Sequence, residues 1–271
     1  MNRFFVEPAN VKEKSIIIDS KEDIKHLSKV LRLKKGDEIE VSDGCEWEYT
    51  AVISGVSDDA VIADITDKQA FAREPKLDVT LFQGIPKQTK MDNIVQKTVE
   101  LGVKKIVPVF MDRTVAVDKG KTGKKVQRWQ KIASESVKQC KRGMIPQVTE
   151  PVDFEQAAGS LEGYELIVFP YENEKDRTIK DLLRNIAGED SPGNSDGVGS
   201  PGNSAGAGGE NDRTLPATVA VIIGPEGGFS ETEAEKIIAA GGQPVSLGKT
   251  ILRTETAGPA ALAMIMYELE L

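Results

Sequence analysis

"VAVIIGPEGGFSETEAEKI", residues 219–237, decides the architecture. Its opening is apolar at consecutive positions, the pattern of a strand buried on both faces of a helix-covered parallel sheet. The run stops at Gly224-Pro225-Glu226-Gly227-Gly228, and Ser230-x-x-Glu233 is a capping box that opens a helix. Ligands of open α/β sheets sit at the carboxyl ends of strands. Gly227 and Gly228 permit positive φ and close approach of backbone to a ligand. The loop has no lysine for a triphosphate and no GxGxxG, and Glu226 would repel phosphate. A phosphate-free ligand, such as an adenosine bonded through its hydroxyls and base edge, suits it. A glycine-rich connection with no ligand accounts for the loop equally well.

The arrangement repeats in "PVSLGKTILRTETAGPAALAMIMYEL", residues 244–269. A short strand ends at Leu247-Gly248, and Arg253-Thr254-Glu255-Thr256 lead into a helix, with Thr254 expected as its cap and Glu255 in its first turn. "AALAMIM" is apolar nearly all round, so the helix is expected to be buried, against its own sheet or a second subunit.

Upstream, strands and helices alternate from Leu77. Strands are predicted over 77–83, 104–110 and 165–170, and helices over 90–101, 125–140 and 177–187. Together with 218–223, 230–240, 244–247 and 255–269 they predict an α/β domain with a mostly parallel sheet. The first seventy residues differ. Short β-branched runs at 14–20, 37–43, 46–56 and 60–66, with one helix at 21–32, predict a small barrel or open sheet. Residues 70–76 form a plausible boundary.

Residues 188–213 are rich in Gly, Ser, Asn and Pro and contain SPGNS twice, which predicts a disordered surface insertion. Glu189, Asp190, Asp196, Glu210 and Asp212 against Arg213 make it strongly acidic, so the net charge of −8 hides a more neutral remainder that can carry a basic face. Two such sets exist: Lys25, Lys29, Arg32, Lys34 and Lys35, and a second running from Lys119 to Arg142. The single histidine, His26, excludes a His-rich zinc site. Two cysteines form no framework, and no apolar run is long enough to span a membrane, which predicts a reducing cytoplasm.

The motifs also carry a resemblance. "IGPEGGFS" followed by "LGKTILRTETA" resembles the C-terminal signature of the 16S rRNA (uracil-N3) methyltransferase family, RsmE type, within the SPOUT methyltransferases. "RFF" (3–5), "HLSKVLRLKKGDEIEVSDG" (26–44), "KMDNIVQKTVELGVKKIVPVF" (90–110) and "RWQKIASESVKQCKRGMIPQV" (128–148) are similar to family segments in the same order. The resemblance covers nearly the whole chain outside 188–213.

It implies a PUA-like β-barrel RNA-binding domain over 1–72 and a SPOUT domain with a trefoil knot over 76–271. It implies S-adenosylmethionine as cofactor, no metal, a cytoplasmic homodimer, and N3 of a uridine in 16S rRNA of the 30S subunit as target. Pro170, Ile223, Gly224, Pro225, Glu226, Gly227, Gly228, Leu247, Gly248, Ile251, Leu252 and Thr256 would hold the cofactor. Arg253 would stabilise the anionic uracil and Glu255 is a candidate base. Arg3, Lys29, Arg32, Lys34, Lys90, Arg113 and Arg142 would contact RNA. Position 250 departs from the family, which carries arginine where this chain has threonine; Lys249 or Arg253 would have to supply the charge. Two alternatives stand beside this reading: a SPOUT enzyme acting on another RNA atom, such as a ribose 2′-hydroxyl, and a non-catalytic rRNA-binding assembly factor.

Overall fold

A computed structural model describes residues 2–115, 122–188 and 215–271. The insertion expected over 188–213 lies, from residue 189 onward, outside the described residues. The strands are β1 (Arg3–Phe5), β2 (Ser15–Ile18), β3 (Glu38–Ser42), β4 (Trp47–Val56), β5 (Val61–Ala70), β6 (Asp78–Gly84), β7 (Lys105–Phe110), β8 (Gln147–Val148), β9 (Val152–Asp153), β10 (Leu166–Pro170), β11 (Thr218–Ile223) and β12 (Gln243–Val245). The α-helices are α1 (Lys21–Lys25), α2 (Lys90–Glu100), α3 (Thr122–Cys140), α4 (Phe154–Gly159), α5 (Ile179–Ala187), α6 (Glu231–Ala239) and α7 (Thr254–Leu269).

Two units form. The first comprises Met1–Pro75 and Gly123–Val148. Its five strands run in the order β1-β3-β4-β5-β2 and make a barrel-like sheet, with β1 parallel to β3 and the other pairs antiparallel. Alternate residues of these strands point inward, so Phe4, Ile16, Ile18, Ile39, Val41, Ala51 and Ile53 share one core. The helix expected over 21–32 is only partly regular. Ser20 caps α1, and a π-helical turn, His26–Val30, follows it.

Packing groups the chain differently from the expected division at residues 72–76. From Gly123 on, α3 belongs to the first unit. Val126, Trp129, Ala133 and Val137 form its buried stripe, and Lys131 and Lys138 pair with Glu22 and Asp23 of α1. Buried charge adds to this. The Arg3 guanidinium bonds the Glu48 carboxylate at 2.7 Å and the carbonyls of Lys141 and Arg142. Arg142 pairs with Glu74 at 2.9 Å, and the same carboxylate accepts from the amides of Gly143 and Met144. Strand–helix rhythm alone assigned α3 to the second domain; these long-range pairs carry no local signal.

The second unit comprises Lys76–Thr122 and Thr149–Leu271. Its sheet places β12-β10-β11-β6-β7 side by side, all parallel, with β9 beside β7. Val219–Ile223 are buried throughout, as a central strand requires. Capping boxes at Thr178 and Ser230 start α5 and α6. Helix α7 packs on α2, α5 and β11. It is not buried all round: Met264 and Tyr267 are exposed.

Arg3→Met should show what the buried pair in the first unit contributes. Glu48 would be left buried without its cation, so urea unfolding should report a loss of about 3–5 kcal/mol. A loss below about 1 kcal/mol would show that the pair is dispensable.

Candidate active site

The carboxyl ends of β10, β11 and β12 face one cleft. Its walls are Pro170, Tyr171 and Glu172 after β10; Ile223, Gly224, Pro225, Gly228 and Phe229 after β11; and Leu247, Gly248, Thr250, Ile251 and Leu252 after β12. Thr254 and Ala257 of α7 close it. Nine of the twelve residues expected at a cofactor are therefore brought together: Pro170, Ile223, Gly224, Pro225, Gly228, Leu247, Gly248, Ile251 and Leu252.

Backbone shape makes this cleft. The amide of Gly228 closes a turn onto the carbonyl of Pro225 at 3.0 Å. Gly228 has φ +67°, a conformation that favours glycine, and the Glu172 carboxylate occupies the space where a Cβ would lie. Gly84, at the end of β6, lies under the same turn: a Cβ would stand 2.6 Å from the Pro225 nitrogen. Phe229 anchors the turn from the other side, edge-on to Phe169 with centroids 4.8 Å apart, and Phe169 stacks on Tyr171. Across the cleft, the amides of Thr250, Ile251 and Leu252 meet no protein acceptor among the described residues. Ile251 is 85% exposed. Free donors beside exposed apolar surface are what a flat, polar-edged ligand uses.

The floor is a buried relay. Gln83 is fully buried, and its Nε2 donates to the Thr254 hydroxyl at 2.9 Å and to the carbonyl of Gly84. The Thr254 hydroxyl donates to the carbonyl of Gly224 at 2.7 Å. Thr254 is therefore not the N-cap of α7 as expected. Arg253 occupies that position with extended backbone, and the Thr254 side chain faces inward. Thr256 is exposed and off the cleft wall, because it lies on the opposite side of the first turn.

Glu226 and Glu255 come together through a residue expected to bind RNA. Lys90, at the start of α2, pairs with Glu226 at 3.0 Å and with Glu255 at 3.2 Å. Burial pushes the Glu226 carboxyl up, but the Lys90 ammonium and the amides of Glu226 and Lys87 outweigh it, and the net position is below the ordinary range. The Glu255 carboxyl is held low by its own backbone amide against burial, with Lys90 and Arg253 helping. The Glu226 hydrogen bond, against partial desolvation, raises the Lys90 ammonium, and Glu255 adds to it. Gly227 stands outside the cleft wall, and Arg113 Nη1 bonds its carbonyl at 2.9 Å. Arg253 is exposed beside the cleft.

The expected RNA set divides. Lys29, Arg32 and Lys34 are exposed on the first unit, with Arg32 at φ +56° just after the π-helical turn. Arg3 and Arg142 are corrected: each is buried, and each has its guanidinium committed to buried carboxylate. Lys119 and Lys121 lie outside the described residues. Phe4 and Trp129 are core. Gln83, Tyr171, Glu172 and Phe229 were not singled out by sequence reasoning. For Gln83 a signal existed, a polar residue at the carboxyl end of the predicted strand "LDVTLFQ", where ligands of such sheets sit.

Comparison with known proteins identifies the class. The RNA methyltransferase domain model matches residues 73–198 and 201–266, and an RNA methyltransferase PUA domain model matches 18–66. The fold is that of an RNA methyltransferase, an enzyme. Ribosomal RNA small subunit methyltransferase E of Bacillus subtilis is 30% identical over 100% of this chain and 98% of its own. The Synechocystis protein of the same name is 30% identical over 99% of this chain and 78% of its own. The Neisseria gonorrhoeae methyltransferase E, solved bound to S-adenosyl methionine, has a TM-score of 0.76 at 26% identity, covering 98% of this chain and 97% of that one. A Legionella pneumophila methyltransferase with the same cofactor has a TM-score of 0.73 at 30% identity, covering 98% and 96%. The chain belongs to the ribosomal RNA small subunit methyltransferase E family.

Two outcomes follow from this geometry. Gly84→Ala should push against the backbone of the Pro225 turn and cost about 1–3 kcal/mol in chemical denaturation; an unchanged midpoint would show that the turn yields freely. The charge cluster predicts a pH response. Lowered carboxyl values stabilise the fold above the ordinary range of about 4 and lose that effect as pH falls through the lowered values. A raised lysine stabilises below about 10.4 and loses the effect as pH rises through its raised value. Wild-type stability should therefore owe no slope to this cluster between about pH 6 and 9. In Lys90→Met both carboxylates lose their ammonium and their values rise, so the variant should gain stability relative to wild type as pH falls from about 6 through the raised values towards the lowered wild-type ones. Parallel pH profiles for the two proteins would refute the coupling.

Proposed function

We propose that this enzyme uses S-adenosylmethionine to methylate N3 of one uridine in 16S rRNA of the small ribosomal subunit, as a cytoplasmic homodimer. The observation that carries the reading is the backbone-lined cleft at the ends of β10, β11 and β12, with Arg253 exposed beside it. The donor set suits the cofactor: free amides at 250–252 for an adenine edge, and Ile223, Leu247 and Leu252 as apolar walls. When bound, the cofactor supplies an electrophilic methyl group on a sulfonium.

The residues of this chain then have to orient the uracil and tolerate its negative charge. Arg253 lies at the entry to α7 with its side chain exposed and no hydrogen-bond partner among the described residues, so its guanidinium is available to O2 or O4 of the base. Glu255 fits a positioning role better than that of base. Its lowered pKa makes it a weaker proton acceptor than an ordinary carboxylate, and Lys90 already engages it. The N3 proton is then released to solvent. Lys29, Arg32 and Lys34 give the first unit phosphate contacts, and Arg113 both supports the Gly227 turn and leaves its charge exposed.

A trefoil knot agrees with the strand order. Strand β12 lies at the sheet edge beyond β10, yet α7 packs on β11 and α2, so residues 246–253 must pass back across the end of β10. Met264 and Tyr267, exposed on α7, support a second subunit there. Among the described residues no helix is long and apolar enough to cross a membrane.

The test is methyl transfer from labelled S-adenosylmethionine to 30S subunits from cells lacking this protein, followed by nucleoside analysis. Label should appear in N3-methyluridine; label in another nucleoside would move the target atom. Arg253→Ala should keep the fold and cofactor affinity while kcat falls at least about 100-fold. Unchanged turnover would remove Arg253 from the mechanism.

A further inference from the structure

Three acidic side chains surround the cleft, and they are not equivalent. Glu226 and Glu255 share the Lys90 ammonium. Glu172 does not. It is exposed on the cleft wall directly after Tyr171, and among the described residues no cation or hydrogen-bond donor reaches its carboxylate. The carboxylate lies over Gly228, the residue of the turn with positive φ, in space that any side chain at 228 would take. Glu172 thus brings the one uncompensated negative charge among these three acids to the cleft, and the glycine turn leaves room for it.

We propose that Glu172 is the counter-ion for the α-ammonium of the methionine moiety of S-adenosylmethionine. This rests on the cofactor reading above and assigns one residue to one part of the ligand. An ionised carboxylate only accepts hydrogen bonds, and it binds most strongly to a charged N–H donor. The sulfonium carries charge but no such donor. The ribose hydroxyls are donors without charge, and the backbone amides at 250–252 on the cleft offer donors to the neutral acceptors of the adenosine half. The ammonium has both charge and donors.

The experiment is equilibrium binding to the full chain, wild type, Glu172→Gln and Glu172→Asp, with three ligands. S-adenosylmethionine has the ammonium and the sulfonium. S-adenosylhomocysteine keeps the ammonium and lacks the sulfonium. 5′-Methylthioadenosine keeps the adenosine half and lacks both charges. Glu172→Gln should weaken the first two alike, by about 10-fold, and leave the third unchanged. Glu172→Asp should recover part of the loss. Equal weakening of all three would place Glu172 on the ribose and overturn the proposal. Weakening of S-adenosylmethionine alone would place it on the sulfonium and overturn it too, as would no change at all. Wild-type protein that binds none of the three would instead defeat the cofactor reading itself. Glu172 is exposed, so thermal midpoints of the variants should match wild type; a matched midpoint with lost affinity separates recognition from folding.

Discussion

The Thr254 hydroxyl fixes where everything else at the site can be. It donates to the Gly224 carbonyl and accepts from Gln83, which ties together the first residue of α7, the loop after β11 and the end of β6. All three groups are buried, so each bond is made in a low-dielectric setting where an unmade one is costly. Because Thr254 faces inward, Arg253 on one side of it is turned out beside the cleft, and Glu255 on the other reaches Lys90. One hydroxyl thereby sets the register of the segment that carries both expected catalytic side chains.

Charge is then distributed by competition. Lys90 stands within bonding distance of two carboxylates, and both are shifted down because the ammonium and backbone amides outweigh burial. That leaves the α7 entry with Arg253 as its outward cation and the cleft wall after β10 with Glu172 as its uncompensated anion. A positive group on one side and a negative one on the other suit two different ligands, an anionic base and a cationic cofactor tail. A site in which every charge were paired internally could orient neither.

Much of the fold was legible because its signals are local. Consecutive apolar residues in "VAVIIG", closed by a glycine loop, have the pattern of a strand buried on both faces, and Ser230-x-x-Glu233 forms the capping box read from the sequence. The glycine turn was legible as a place of close approach, and nine of twelve expected residues line one cleft. Thr254 was misread because a threonine before an acidic first turn has the pattern of an N-cap, and only the position of Gln83, 171 residues earlier, turns it inward. The pairing of Lys90 was hidden for the same reason: a lysine at a helix start reads as a solvent cation until the fold places Glu226 and Glu255 against it. Glu172 gave no signal at all, since one glutamate in "YENEK" looks like its neighbours until Gly228 is seen beneath it.

The same limit governs the basic residues. Counting lysines and arginines put Arg3 and Arg142 with Lys29, Arg32 and Lys34, but charge counts do not report burial. Arg3 and Arg142 sit against Glu48 and Glu74 with their guanidinium groups saturated, which makes them the internal fastening of α3 to the barrel-like sheet. Releasing either to a phosphate would strand a buried carboxylate, at a cost of several kcal/mol, more than an exposed phosphate contact returns. In the proposed function, electrostatic attraction of RNA to the first unit would therefore fall to side chains that carry no such penalty. Lys29, Arg32 and Lys34 meet that condition, gathered around a π-helical turn and a left-handed arginine whose backbone a packed helix would not adopt.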